Sequence, residues 1–476
     1  QYIDIVKIVG ILGFGITALN MYLLGREFWG RGGGLISSAF YTYAPYHSVD
    51  FYVRGAMNEF WAMAFYPAIF YTTYKLIQSS PSLKLREGLG VSYWVTWTSL
   101  SVAALMLSHN PMLMIFAPVY LVWILFWLIK FKTVKPLSHL AISAFWSLGL
   151  AAFFTLPVVF ETKFVSVWTL TSGYFNYLAH FLNWRQILLN INWGYGSSVL
   201  GPNDTMSFAL GYLQWLIPAL VVLLIPFIKK FRENKYLVLF LVSCILVSLF
   251  MSHSRSTPIW LAVKPLEFLQ FPWRFLTLAV FAASFLSGAI MMAINKKTFL
   301  SLIICLLILL NANFFRPREW FSDMTDVKKF AGKSWQLLVT SGIFDYLPKW
   351  APAPPADARG DEINIVSGQG IYSPLLFKSN RQEYLVTMSS LGTLELQTYY
   401  FPGWKYYLDN QEIKSYKLDP LLGRPQLEIP PGRHELVALF INTPVRTLAN
   451  TLSLVSWLTI VVIMLLWLKT FIPRVS

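Results

Sequence analysis

Long apolar runs recur through this chain at lengths that match the thickness of a bilayer core, and they constrain its fold more than any other feature. A membrane-crossing helix needs about 20 mainly apolar residues. Eleven segments approach that description: Ile5–Leu24, Leu35–Tyr46, Phe60–Ile77, Val91–Ser108, Met112–Ile129, Ala141–Phe160, Phe208–Ile228, Tyr236–Ser252, Trp273–Ile294, Phe299–Leu310 and Leu452–Leu468. Hydrophobic residues make up 56% of the 476 residues and charged ones only 13%, more apolar surface than a water-soluble fold of this size can hide. The expected fold class is therefore a polytopic α-helical membrane protein.

The net charge of +15 would suit a nucleic-acid binder if the basic residues shared one soluble face. They fall instead in short polar breaks: Arg26 and Arg31; Lys75, Lys84 and Arg86; Lys130, Lys132 and Lys135; Lys229, Lys230, Arg232 and Lys235; Lys296 and Lys297; Lys469 and Arg474. If all eleven segments cross, these breaks share one side. The enrichment of Lys and Arg in cytoplasmic loops makes that side cytoplasmic. The C-terminus then lies in the cytoplasm, Gln1 lies outside, and no nucleic-acid partner is expected. The chain begins at Gln1 without an initiator Met or a basic leader region, so an earlier span and its exterior loop are expected to precede it. Cys244 and Cys305 lie inside apolar runs and read as small buried hydrophobes.

The exterior breaks differ in character. They hold five of the six histidines, His47, His109, His180, His253 and His434, and the last break is long enough for a domain. After the Ala351–Ala356 linker come strand-like runs at Glu383–Met388, Thr393–Phe401, Lys405–Leu408, Glu412–Leu418, Gln426–Ile429 and His434–Ile441. Asp409-Asn410 and Pro430-Pro431-Gly432 supply turn chemistry between them. The expected division is a multi-span domain over 1–312, an exterior β-sandwich-like domain over 313–450, and a final transmembrane helix with a cytoplasmic tail over 451–476.

Four polar groups sit at the exterior ends of the spans. In the first, Pro45 interrupts the second segment, and a helical turn would put Asp50 and Arg54 on one face with Glu59 close behind. This suits either a structural ion pair or a carboxylate base beside an anion-binding arginine. In the second, Ser108-His109-Asn110-Pro111 makes a tight turn near the membrane surface. The third, from Trp193 through Tyr195 to Asp204, interleaves glycine with aromatics, as suits either a sugar-binding loop or an interfacial aromatic belt. In the fourth, Glu267 to Arg274 preceded by His253 and Arg255, Arg274 enters an apolar run. An unpaired cation costs roughly 2.5–3.5 kcal/mol there, so a lipid phosphate, a substrate phosphate or Glu267 would have to meet it. No P-loop, dinucleotide fingerprint, zinc-spaced Cys/His set or serine-hydrolase elbow is present, which removes the commoner nucleotide, redox and hydrolase designs.

The runs APYHSVDFYVRGAMNEFWA, LSHNP, WGYGSSVLGPNDTMSFALGY, EFLQFPWRF and FDYLPKW, with the terminal YYFPGWKYYLDNQEI and IPPGRHEL, resemble the bacterial membrane proteins called 6-pyruvoyl-tetrahydropterin synthase-related. The terminal part also looks like the exterior domain of YfhO-type proteins, which are placed with the GT-C glycosyltransferases. The resemblance implies transfer of a sugar from a polyprenyl-phosphate carrier to a glycan, lipid or protein acceptor at the exterior face of the plasma membrane. In GT-C enzymes a first-loop carboxylate acts as base or acceptor ligand. That loop would precede Gln1 here, which leaves Asp50 and Glu59 as the candidate catalytic carboxylates. Arg54, His47, His109, Asn110, Tyr195, Asp204, Arg255 and Arg274 are the candidate substrate-binding residues. A divalent cation is conceivable, although no metal motif is visible. The competing expectations are a transporter or flippase of lipid-linked glycans and a non-catalytic envelope scaffold.

Overall fold

The computed structural model describes residues 1–79, 85–201, 203–340, 345–356 and 363–471. Pro202 and Phe344 of the motifs above, and Lys84 and Arg474 of the basic breaks, lie outside the described residues, as do the side chains of Arg86 and Lys469. The chain is mostly helical, 63%, with a C-terminal β-sheet region. It divides into two compact units. One comprises Gln1–Ala151, Gly173–Asp323 and Ser456–Ser476; the other comprises Ala152–Ser172 and Met324–Val455. These boundaries fall elsewhere than the 312/313 and 450/451 divisions read from the sequence.

Among the described residues, six helices are long and apolar enough to cross a membrane: Tyr2–Thr42, Asn110–Phe131, Lys235–Ser252, Pro272–Met292, Lys297–Phe315 and Pro444–Trp467. A seventh arises if Leu137–Leu150 and Ala152–Phe164, bent by 75°, count as one span. Met57–Ser79 and Leu85–Ser108 have 23 and 24 residues but are less apolar, and Tyr212–Leu223 has only 12. Tyr2–Thr42 unites the first two apolar segments, yet it is not one straight rod. Ser38 Oγ donates to the Ala18 carbonyl at 2.8 Å, whereas in a straight helix those residues would stand about 30 Å apart. The chain reverses at Gly30, whose φ of 77° falls where a side chain is disfavoured.

Pro272–Met292 is the axle of the helical unit, with 94% of its apolar window buried against 17% for Tyr2–Thr42. The first hairpin clasps it: Trp29 Nε1 and Ser37 Oγ both donate to the Phe285 carbonyl, at 2.7 and 3.2 Å. The outer helices leave Ile5, Ile8 and Ile11, and Leu121 and Leu125, exposed. Apolar faces this extensive are compatible with a membrane protein, because lipid can cover what no protein covers.

The second unit holds nine antiparallel strands in two sheets, ordered β1-β4-β8-β7 and β2-β3-β9-β5-β6. The strands are β1 Asn364–Ser367, β2 Gly370–Lys378, β3 Arg381–Met388, β4 Gly392–Glu395, β5 Trp404–Leu408, β6 Gln411–Ile413, β7 Lys417–Leu418, β8 Pro425–Ile429 and β9 Gly432–Phe440. Tyr384, Val386 and Met388 of β3 alternate inward and share one core with Leu394 of β4 and Leu427 and Ile429 of β8, so the sheets face each other as a sandwich. Asp409 and Asn410 have φ of 48° and 65°, as a two-residue hairpin turn requires. β1 and β2 were not expected from the sequence. β2 is an edge strand with little alternation, and its register shifts after Pro374, which has no amide to give a ladder. Residues 152–172 join this unit through Glu161. Its carboxylate takes Arg446 Nε and Nη2 at 2.9 and 2.7 Å and the Thr443 hydroxyl at 2.6 Å.

Candidate functional site

Local backbone chemistry places the first polar group. Pro45 opens a one-turn helix, Pro45–Ser48, where its missing amide costs nothing. A π-helical turn, Val49–Val53, follows. The Arg54 amide donates five residues back to the Val49 carbonyl at 2.9 Å, and Ala56 N reaches the Asp50 carbonyl at 2.8 Å. Such turns recur where function needs a side chain re-aimed. Gly55, at φ 61°, ends the turn, and the next helix starts at Met57 with Glu59 in its first turn.

The fourth polar group comes to the same place. Gln270 adopts φ 64°, and the Pro272–Phe275 turn then carries Arg274 inward. Arg274 Nε lies 3.0 Å from Glu59 Oε2, and its Nη1 donates to the Leu269 carbonyl at 2.7 Å and to Gln270 Oε1 at 3.0 Å. Arg54 Nη1 also stands 3.0 Å from Glu59 Oε2 and donates to Asp50 Oδ1. Tyr46 completes the shell, its hydroxyl 2.6 Å from Glu59 Oε1. The partner that Arg274 finds is thus Glu59, not Glu267.

Two carboxylates and two guanidiniums form a formally neutral cluster almost without solvent contact. Side-chain exposure is 0% for Asp50, 1% for Glu59, 8% for Arg274 and 13% for Arg54. Mutual pairing offsets the several kcal/mol per ion that burial costs. The Trp273 ring lies 4.4 Å from the Arg54 guanidinium, and the Phe271 ring 5.0 Å from that of Arg274, so flat aromatic faces cover the cations.

The cluster is not closed. Asp50 Oδ2, Trp273 Nε1 and His109 Nδ1 are buried without a hydrogen-bond partner among the described residues. Burial, and then the charge of Glu59, push the Asp50 carboxyl well above the usual carboxylate range against the pull of Arg54 and Arg274. Burial brings the His109 imidazole down to about 4, opposed by Glu59, so at neutral pH it is uncharged. Arg54 meets both carboxylates through Nη1, which leaves Nε and Nη2 as donors for a further acceptor.

The other candidates lie elsewhere. His47 is fully buried, edge-on to Tyr41 and Phe60 with centroids 4.7 and 6.0 Å away, and packs as an aromatic ring. Asp204 clasps its own loop, accepting Val199 N at 2.8 Å and Gln186 Nε2 at 2.5 Å. Tyr195 is half-buried and donates its hydroxyl to the Arg316 carbonyl. Asn110 is exposed at the head of its helix, and Arg255 is exposed on the Ser254–Ser256 turn. Tyr46, Gln270 and Trp273 escaped sequence reasoning. Tyr46 stood within the quoted run, but nothing in its spacing marked its hydroxyl as a ligand of Glu59. Among the described residues, no three His, Cys, Asp or Glu side chains gather so that they could hold a metal ion.

No protein-family model matches the chain, and neither curated proteins nor solved structures yield a match.

Proposed function

We propose that this chain is an integral membrane protein of eleven spans that carries out GT-C-like glycosyl transfer at the Asp50–Arg54–Glu59–Arg274 cluster. In this reading the β-rich unit stands on the exterior side of the plasma membrane and the C-terminus in the cytoplasm. The donor is a polyprenyl-phosphate-linked sugar and the acceptor is an envelope molecule. The observation that carries the reading is Asp50: a wholly buried carboxylate with one oxygen held by Arg54, the other without a partner among the described residues, and its basicity raised. A proton acceptor at neutral pH needs that combination.

In the proposed step the acceptor hydroxyl oxygen bonds to the anomeric carbon, the bond from that carbon to the phosphate oxygen breaks, and the hydroxyl proton passes to Asp50. Polyprenyl phosphate leaves with the bonding electron pair. The spare donors of Arg54 stabilise its growing negative charge inside a dry site, where such hydrogen bonds act most strongly. Glu59 holds both guanidiniums in place. The sequence resemblance supports the sugar donor.

A second reading has its own observation. Glu59 meets Tyr46, Arg54 and Arg274 at once, as a purely structural latch between two segments would require. Release of polyprenyl phosphate by the purified chain in lipid, supplied with a panel of polyprenyl-phosphate sugars, separates the two. Turnover that is lost in Asp50→Asn and Arg54→Ala supports transfer. Absence of turnover across the panel, with a correctly folded protein, supports the latch.

A further inference from the structure

A cavity in the helical unit lies outside the ion cluster. It encloses about 560 Å³ and is lined by Tyr52, Tyr195, Pro317, Arg318, Glu319 and Phe321, within the size range of small-molecule sites. Three distant stretches build it, and fixed contacts tie them together. Asn311 Nδ2 donates to the Tyr43 carbonyl at 2.8 Å, and Ser48 Oγ donates to the Phe314 carbonyl. Trp193 Nε1, at 3.2 Å, and the Tyr195 hydroxyl both donate to the Arg316 carbonyl.

These ties fix two aromatic walls. Tyr52 is 48% exposed, yet its ring is braced edge-on by Phe51 and Phe315, with centroids at 4.9 and 6.3 Å. Tyr195 stands edge-on to Trp193 at 5.3 Å, and Trp193 in turn to Phe314 at 5.7 Å. Rings held this way lose little entropy when something stacks on them. The remaining polar wall is a guanidinium beside a carboxylate. Arg318 and Glu319 are both exposed, and neither makes an ion pair or hydrogen bond among the described residues.

We infer that this cleft binds a neutral saccharide. Sugar hydroxyls both donate and accept, so they need what Arg318 and Glu319 offer side by side: a planar donor fork and a free acceptor. The C–H faces of a sugar ring are apolar and pack on aromatic rings. An anion would meet Glu319, and a cation would meet Arg318. Tyr52 shares the π-helical turn Val49–Val53 with Asp50. Resting on the transfer reading above, the bound saccharide is the acceptor.

The test uses the full chain in lipid nanodiscs, free of sugar-headed detergents. Maltotriose, cellotriose and mannotriose are the probes, with phosphoethanolamine and inorganic phosphate as the alternatives, and binding is read by saturation-transfer NMR. Transfer to the ring protons of at least one trisaccharide is expected. Signal should weaken about tenfold in Tyr52→Ala and in Glu319→Gln, the size of one lost stacking or bidentate contact. Glu319 is exposed, so its variant reports on binding even where Tyr52→Ala disturbs folding. No transfer to any trisaccharide, equal transfer in Glu319→Gln, or transfer to phosphoethanolamine alone would overturn the inference. Saccharide binding without release of polyprenyl phosphate would retain the cleft and remove the acceptor role.

Discussion

Arg274 lies 215 positions beyond Glu59, and its Nε rests 3.0 Å from Glu59 Oε2. This contact pins the short turn before the central helix to the first turn of Met57–Ser79. Removing one partner of a buried pair leaves an uncompensated charge, typically a loss of about 3–5 kcal/mol. Glu59→Ala leaves Arg274 without a carboxylate and Arg54 with Asp50 alone, and should fall in that range by equilibrium unfolding in bicelles. Glu59→Gln, which keeps its hydrogen-bonding reach, should cost less. A double-mutant cycle with Arg274→Met should return a clear coupling energy; additivity would mean that the contact does not hold the turn.

Tyr46 is the quieter member of the cluster. Its hydroxyl lies 2.6 Å from Glu59 Oε1, and a hydrogen bond to a charged group contributes about 1.5–3 kcal/mol. Tyr46→Phe should lower stability by that amount in the same unfolding experiment, and in a Glu59→Gln background the loss should shrink. An equal loss in both backgrounds would place the effect in packing.

In the second unit, the Arg446 fork on Glu161 holds residues 152–172 to the sandwich. The Ser166 amide donates to the Leu347 carbonyl at 2.8 Å, and Lys349 N to the Phe164 carbonyl at 3.0 Å. Glu161→Ala should speed hydrogen exchange at Ser166 and Lys349 by about tenfold or more, since local opening needs only part of the global free energy. The amides that pair β3 with β9 should stay protected. Unchanged exchange at Ser166 would show that the segment is held by something else.

His434 Nδ1 lies 2.6 Å from Asp409 Oδ2 beside the β5–β6 turn. The hydrogen bond from His434 holds Asp409 below its ordinary value of 3.8, and Asp409 raises His434 above its ordinary 6.5. A raised histidine contributes stability that is full below its unfolded value and is lost as pH climbs through the folded one. A depressed aspartate contributes stability that is present above its unfolded value and is lost as pH falls through the folded one. The pair should therefore help most between about pH 4 and 6.5, declining above. The thermal midpoint of the β-rich unit, followed from pH 5 to 8.5, should fall, and His434→Gln should flatten that slope. A slope unaltered in the variant would assign it to other groups.

What the sequence could convey follows from the range of each interaction. Bilayer-length apolar runs are local, and among the described residues six helices are long and apolar enough to cross a membrane. The Asp50–Arg54 pair was visible because four residues bring two side chains onto one helical face. The reversal at Gly30 lay in a glycine-rich stretch, but only the Ser38 contact with Ala18 reveals it. The bond between Glu59 and Arg274 could not be read, because nothing local ties positions 215 apart. β2 was hidden for a different reason. An edge strand interrupted by Pro374 keeps little of the alternation that marks a half-buried strand. Asp204 looked like a ligand because it is an acid among glycines and aromatics, yet its oxygens close the loop that carries it.

Asp50→Asn tests most directly whether the buried cluster is a site of chemistry and not only a fastening, because the change preserves shape and leaves Arg54 with Glu59. Polyprenyl-phosphate release and the thermal midpoint should be measured on the same preparation. Release should fall about 100-fold or more, the scale of a lost general base, at a temperature where the measured midpoint shows the variant folded. Release at the wild-type rate from the Asp50→Asn protein would contradict a catalytic role for this carboxylate.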